Sequence, residues 1–517
     1  MKTILVTLFV LTAFVRLSAQ NQNISNGLFF DGEPYLVIDP ANSQHLVVAW
    51  MGYTFGNPLG IKTRVSFNGG TSWSAPKTLP HFSPTYHSAD PSLAFDPADG
   101  TLYACYIDYR ENPDSGGVYV LRSNDGGLNW GNAVKAIDAY ADGNKRPLDR
   151  PWLTINPVNG HLYITTKPAP WIAPPNRPYF MCSTDGGQNW QPWQYLDGPG
   201  FLTGNFIAGP MAAPATSSDG YFHAVFPSWV PSQNILPGFI HARSSDDGNN
   251  FTYHGMIYAA ASGPDTLAKT GYRLVADPSD PTHLVFTYTF KSNGGDLDIF
   301  ILESFNSGNT WSNPVRVNND PIGNGKMQDL VWADFDDDGD LVLGWRDRRN
   351  GTGNGYENAS EIWGAVRWKG TPDFSPNFRI SDTITPYNGL YLSQNGNDFM
   401  CLDMKNDTLY AVWGDVRMNK LNIWFARKAL ASGASNTQLL VDEPVPFVNI
   451  FPNPAQDLIR FEGSSVLDAS LYDLSGRLLL QTKPVNNQLS LQHLPSQTLI
   501  LLLHTAEGDV VKRIEKK

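Results

Sequence analysis

Cysteine is almost missing from this chain: there are three in 517 residues, Cys105, Cys182 and Cys401. One disulfide at most can form, a cysteine-clustered metal site is excluded, and buried free thiols are the plain expectation. Charge is scarce too, at 17% of residues, with 37 Lys and Arg against 49 Asp and Glu for a net charge of −12. That balance removes the electrostatic footprint of a nucleic-acid binder; an anionic polymer would need a local patch. Beyond the first residues no run of about 18 apolar residues occurs, so no membrane span is expected. There is no Gly-x-Ser-x-Gly elbow, no phosphate-cradling Gly-rich loop and no His-Glu-x-x-His helix, and the ten histidines are scattered. No cofactor is expected to be required.

What is plentiful is Gly (46), Pro (38) and aromatics (15 Trp, 21 Tyr, 27 Phe). The chain can bury a large core, and it is too loop-rich for a helical bundle. Residues 1–19 have the layout of a secretory signal peptide: Met1-Lys2, an apolar stretch from Ile4 to Val15, then Leu17-Ser18-Ala19. That apolar run is too short to span a bilayer. No cysteine follows it, which speaks against lipid attachment, so an exported chain is expected.

Two units recur with a common period. The first is a turn between short strands, such as Asp39-Pro40, Asp96-Pro97, Asn156-Pro157 and Asp277-Pro278. Its starts at 39, 96, 156, 217, 277, 334 and 403 lie 57, 60, 61, 60, 57 and 69 residues apart. The second reads Ser-x-Asp/Asn-x-Gly-x-x-Trp/Phe. It runs from Ser66 to Trp73, from Ser123 through Asp125 to Trp130, from Ser183 through Asp185 to Trp190, from Ser244 through Asp246 to Phe251, and from Ser304 through Asn306 to Trp311, always 27 residues after the first. The polar side chains can bond the turn's own N–H groups, the Gly allows positive φ, and the aromatic folds over the hairpin. Short apolar stretches around both units, such as 117–121 and 341–345, make each copy four antiparallel strands. Radial repetition of such units gives a propeller.

The five hairpin motifs resemble the Asp boxes of the sialidase-like propeller superfamily, over about residues 28–430 of a domain expected to span 24–430. The resemblance implies an all-β propeller. Sialidases of that superfamily have six blades, whereas seven copies here favour seven. Copies six and seven lack the box, with Trp363 to Arg367 and Trp424 to Arg427 in its place. The seventh copy ends before a fourth strand, so Ile24 to Phe30 is expected to supply it and remove an exposed edge.

After a small polar linker, 431–443, residues 444–517 form a separate module. Asn449-Ile450-Phe451-Pro452-Asn453-Pro454, Leu471 to Arg477 and the basic Val511-Lys512-Arg513-Ile514 are similar to the sorting domain of type IX secretion, with Gln497 and Leu499 where that family has Gly and Tyr. Without the resemblance the tail is still a small β-sandwich, of immunoglobulin-like kind. The resemblance implies a Gram-negative bacterium, the type IX machinery as partner, and release or surface attachment once the tail is removed.

Both repeated turns lie on one face of an antiparallel ring, so the longer loops gather on the other. These are 54–59, 108–116, 168–178, 227–238, 291–296 and 346–361, with Trp171 and Trp229 as candidate ligand-binding aromatics. Loops on a rigid scaffold are where sites usually sit, and aromatic faces suit sugar rings. An extracellular glycan or glycoprotein is therefore the expected partner. The first residues of the inner strands open on this face and bring Asp90, Asp149, Arg150, Arg273, Asp329 and Asp398 to the axis; converging charge marks either a site or ion pairs.

The resembled sialidases need three arginines on a substrate carboxylate, a Tyr nucleophile with a Glu, and an Asp acid/base. The first arginine is missing: Glu33-Pro34-Tyr35 stands at its motif. Arg150, Arg273 and either Arg349 or Arg417 could replace the trio, with Asp90 or Asp149 as acid/base and Tyr356 beside Glu361 as nucleophile pair; another glycoside hydrolase using two carboxylates is a further option. Asp-x-Arg recurs at Asp108–Arg110, Asp347–Arg349 and Asp415–Arg417, where residues two apart share a strand face and can brace a loop. Asp334, Asp336, Asp338 and Asp340 match the opening of a calcium loop, or form a solvated hairpin.

Overall fold

The computed structural model describes residues 21–27, 30–53, 56–111, 114–143, 145–230, 235–258, 271–291, 296–388, 397–430, 448–463, 465–473, 477–505 and 508–517. The expected signal peptide, the linker and positions 28, 29 and 444–447 lie outside them. The chain divides into two compact units, 1–432 and 433–517. Among the described residues there is no α-helix, and no helix long and apolar enough to cross a membrane.

In the first unit seven four-stranded antiparallel sheets follow one another: 31–78, 87–138, 148–195, 213–258, 272–316, 328–379 and 401–429, the last completed from the amino terminus. We number them one to seven. The first strand of each packs on the first strand of the next, and that of seven on that of one, so the row closes into a propeller ring. The cores lie between consecutive sheets, for instance Ile107, Val118, Leu153, Ile164 and Met181 between two and three. The three cysteines are free and buried there.

Closure comes two residues earlier than the sequence suggested. Gln22–Asn23, not Ile24 to Phe30, is the outer strand of sheet seven, paired with Phe425 and Trp424. Ile24 N donates to Ile423 O at 2.9 Å, and the Ile24 side chain, fully buried, enters the core instead of the ladder.

The five boxes share one geometry. The Ser hydroxyl donates to the Asp or Asn two residues on at 2.8–3.0 Å. It accepts from the Gly N–H four residues on at 2.8–2.9 Å. The Asp or Asn accepts a further backbone N–H at 2.7–2.9 Å. Each box also rests on the preceding sheet. Gly248 and Gly308, at φ 84° and 82°, leave no room for a Cβ, which would lie 2.2 Å from the Phe180 ring and 2.0 Å from the His241 ring. His45 reaches the Gly126 carbonyl at 2.9 Å and Tyr163 the Asp247 carboxylate at 2.6 Å. The boxes are therefore staples between sheets as well as hairpin locks. In sheet six, which has no box, Arg367 grips Glu303 of sheet five instead.

The second unit holds a three-stranded sheet, Val448–Phe451, Leu458–Gly463 and Gln488–Ser490, and a four-stranded sheet in the order Leu478–Thr482, Val466–Tyr472, Thr498–Thr505, Gly508–Glu515. Strict alternation buries Leu499, Leu501 and Leu503 together with Ile459, Phe461 and Ile514.

Candidate functional site

The inner strands of sheets one, two and three each carry a bulge near their start, at Glu33, Asp90 and Arg150, with φ of 52°, 54° and 48°. Each is followed by proline, which has no N–H to give a ladder and so fits a bulge. A bulge re-aims its side chain, and these three meet. Asp90 Oδ2 accepts Arg150 N at 2.9 Å; Arg150 pairs with Asp398, three residues before the ring's last sheet; Glu33 lies against both Asp90 and Asp398. Asp149 sits beside them, paired across its hairpin with Lys167. Four carboxylates thus face two cations at the axis, on the face of the long loops.

The carboxyls divide the available charge unequally. Burial, reinforced by Asp398 and Asp90, holds the Glu33 proton well above the usual carboxylate range. Burial likewise pushes Asp90 up to about 6, against an opposing hydrogen bond from Glu33. Asp149 is buried as well, but Lys167 and Arg150 outweigh that and hold it below the ordinary value. Neighbouring carboxyls with proton affinities driven apart are a recurring mark of functional sites.

Below this cluster Arg273 lies over Trp332, 4.5 Å from the ring centre, with Tyr35 Oη at 3.5 Å. Trp152, Tyr35 and Phe399 complete an aromatic layer, Trp152 lying 5.6 Å from Tyr35 and 5.2 Å from Phe399. Toward the long loops, Lys167 and Pro170 back onto Gly209, and the buried Asn176 ties the loop to the Ala208 carbonyl at 2.7 Å. Trp171 on this loop is 73% exposed and Phe206 on the neighbouring link 60%. Trp229 packs on Phe206 with ring centres 4.8 Å apart.

The replacement arginine trio is not assembled. Arg150 and Arg273 are at the axis, but Arg349 is spent on Asp347 and stacked on Trp363, and Arg417 on Asp415 and Asp382 and stacked on Trp424. With Nε and Nη2 on one aspartate and Nη1 on Asn319 or Asp382, neither guanidinium keeps a fork free for a substrate carboxylate. The bracing read from Asp-x-Arg holds for these two pairs and fails for Asp108, which receives Phe82 N, Ser88 Oγ and His81, while Arg110 turns to Thr85.

Nor do Tyr356 and Glu361 act as a pair. Both Glu361 oxygens are committed, to Arg379 and to Asn350 and Trp363, and Tyr356 Oη accepts Arg346 Nη2 at 3.1 Å. Asp329 is not in the axial cluster; it is fully buried beneath Arg346 and Arg348. Of the four candidate calcium ligands, Asp336, Asp338 and Asp340 stay within electrostatic reach of one another on the turn, while Asp334 points elsewhere. Asp334 shares a buried contact with Asp403, Asp336 accepts Asp337 N and Asp407 N, and Asp340 accepts Lys369 N. Backbone donors thus occupy both oxygens of Asp336 and one of Asp340. No group of three or more His, Cys, Asp or Glu among the described residues is placed to hold a metal ion.

Sequence reasoning missed Glu33, Lys167, Arg346 and Arg348. The repeat could have found Glu33, since Glu33, Asp90 and Arg150 each stand six residues before their copy's turn at 39, 96 and 156. Alternation could have found Arg346 and Arg348, which face opposite to Asp347 and Arg349.

The architecture is that of a closed β-propeller followed by a small all-β module. Residues 449–517 match the family described as the secretion system C-terminal sorting domain. The chain is thereby marked for export by type IX secretion, to the cell surface or beyond. No curated protein matches the chain. Similar solved structures include a protein of unknown function from Dyadobacter fermentans DSM 18053 (17% identity, 67% of this chain and 99% of that one, TM-score 0.43). Two others are the GH93 α-L-arabinofuranosidase of Fusarium graminearum (13%, 79% and 97%, 0.45) and the NanB sialidase from Streptococcus pneumoniae (12%, 80% and 71%, 0.40). Likenesses this distant decide nothing about activity.

Proposed function

We propose that the exported ring binds an extracellular glycan or glycoprotein at its long-loop face, and that the glycan carries no carboxylate at the axial position. The observation that supports this reading is the pairing of an acidic axial cluster with the exposed aromatics Trp171 and Phe206 and the half-buried Trp229 on the same face. Aromatic faces accept sugar rings, while Glu33, Asp90, Asp149 and Asp398 repel an anion and offer acceptors to hydroxyls. A sialidase reading is disfavoured on the same ground: Glu33 stands where an arginine is needed.

Hydrolysis of an uncharged glycan is a second reading, favoured by the split between Asp90, pushed up to about 6, and Asp149, held low. Such a pair supplies an acid and a base. A glycan array probed with the purified protein tests the binding reading; signal should fall on Trp171→Ala or Trp229→Ala, and full retention in both variants contradicts it. Release of reducing sugar, lost in Asp149→Asn, would move the assignment to the hydrolase.

A further inference from the structure

We propose that a small cavity between sheets six and seven is a halide site, in which Arg346 and three hydroxyls hold a chloride ion. The site lies apart from the axial cluster and does not depend on the glycan reading.

The inference starts from an arginine that is buried with one nitrogen unspent. Arg346 stands near the end of the strand Leu341–Asp347. Alternation puts it on the same side as Gly344, where a Cβ would lie 2.4 Å from Leu402 of sheet seven. Arg346 therefore looks across the gap between the two sheets. It is 4% exposed. Its Nε and Nη2 go to Asp329, and Nη2 also reaches Tyr356 Oη at 3.1 Å. Nη1 has no hydrogen-bond partner. Arg348 draws on the same carboxylate, its Nη1 lying 3.1 Å from Asp329 Oδ1, so two buried guanidiniums share one negative charge. A buried charged donor without an acceptor is costly.

Arg346 lines a cavity of about 20 Å³ together with Ser360, Ser381 and Thr385. Ser360 and Thr385 pair through their backbones, at 2.9 and 2.8 Å, which leaves both hydroxyls to the cavity. Ser381 Oγ accepts Ile362 N at 2.9 Å and keeps its own proton to give. Two carboxylates also border the space, but each is answered by an arginine of its own: Glu361 by Arg379 at 3.1 Å and Asp415 by Arg417 at 2.6 Å.

This set of donors selects the occupant. A metal cation is repelled by Arg346. One water-sized particle needs roughly 10–15 Å³, so the cavity excludes sulfate, phosphate and a substrate carboxylate. A water could accept from Arg346, but it would bring two protons to a wall whose carboxylates are already engaged. A halide only accepts, and a charge-assisted bond to a desolvated guanidinium is a strong one.

The test soaks crystals of the purified full chain in sodium bromide and records an anomalous difference map at the bromine edge. A peak in contact with Arg346 Nη1 is expected. In solution, chloride titrated against gluconate at constant ionic strength should raise the thermal midpoint saturably, because gluconate is too large for the cavity. Replacing Arg346 itself would strand Asp329, so the variant is Ser360→Ala with Thr385→Val, which leaves that ion pair in place. It should lose at least half of the chloride response and weaken the bromide peak. Density without anomalous signal means water and overturns the assignment. A chloride response that the double variant keeps in full overturns it as well.

Discussion

On the box face, Asp125 collects its donors from Ser123 and Asn129, no more than four residues away. On the long-loop face, Asp90 meets the N–H of a residue 60 positions on, and Asp398 meets an arginine 248 positions back. The same side chain is thus a local fastener on one side of the ring and a member of a shared carboxyl cluster on the other. Repetition suits fastening, because every copy can satisfy itself. A site at the axis needs unlike residues from unlike copies, and there the repeat is broken.

The strongest way to break the comparison is at a box glycine. Gly308→Val forces a side chain into the His241 ring at a left-handed φ and should cost more than about 4 kcal/mol or prevent folding; near-wild-type thermal unfolding would mean the boxes are not staples. Next is Asp329→Ala, which leaves Arg346 and Arg348 buried without their carboxylate. Urea unfolding should show a loss of about 3–5 kcal/mol. A loss no larger than that of an exposed ion pair would place this cluster with the ordinary surface.

The faces should also respond to pH in opposite directions. Asp90 is raised in the folded chain, so its stabilising contribution is complete below the ordinary Asp value of about 4 and is lost as pH rises through about 6, on the order of 3 kcal/mol. Asp90→Asn should flatten that part of the profile. Glu303, at the box-face junction of sheets five and six, is buried yet held down to about 2 by His283 and Arg367. Its contribution is present above the ordinary Glu value and is lost as pH falls toward 2. His283 is raised, with Asp277 and Glu303 outweighing burial, and adds stability that is complete below its ordinary value and lost at higher pH; the Asp90→Asn comparison separates the two. Smallest should be Ser183→Ala, which removes one hydroxyl from a box for about 1 kcal/mol.

The same division explains what could be read in advance. Strand order, the two-faced ring, the boxes and the tail were legible because each is written within one period or within a few residues. The closing strand was misplaced because Gln22–Asn23 is only two residues long and carries no apolar alternation, whereas the more conspicuous Ile24 belongs to the core. Strand direction led to Asp90, Asp149, Arg150 and Asp398, which lie together, and equally to Asp329, which does not join them. The arginine trio failed because whether Arg349 or Arg417 is free depends on Asp347, Asp382 and Asp415, and Asp-x-Arg spacing had already pointed to bracing there. The aspartates of 334–340 looked like ion ligands because nothing in their spacing reveals the backbone donors of Lys369 and Asp407 that fold over them.

Buried Glu33 and Asp90 hold their protons more tightly than ordinary carboxyls, and infrared titration of carboxyl protonation reads this directly. Wild-type protein should retain protonated carboxyl signal between pH 5 and 6 that Glu33→Gln and Asp90→Asn each diminish. Full ionisation of every carboxyl by pH 5 would contradict it.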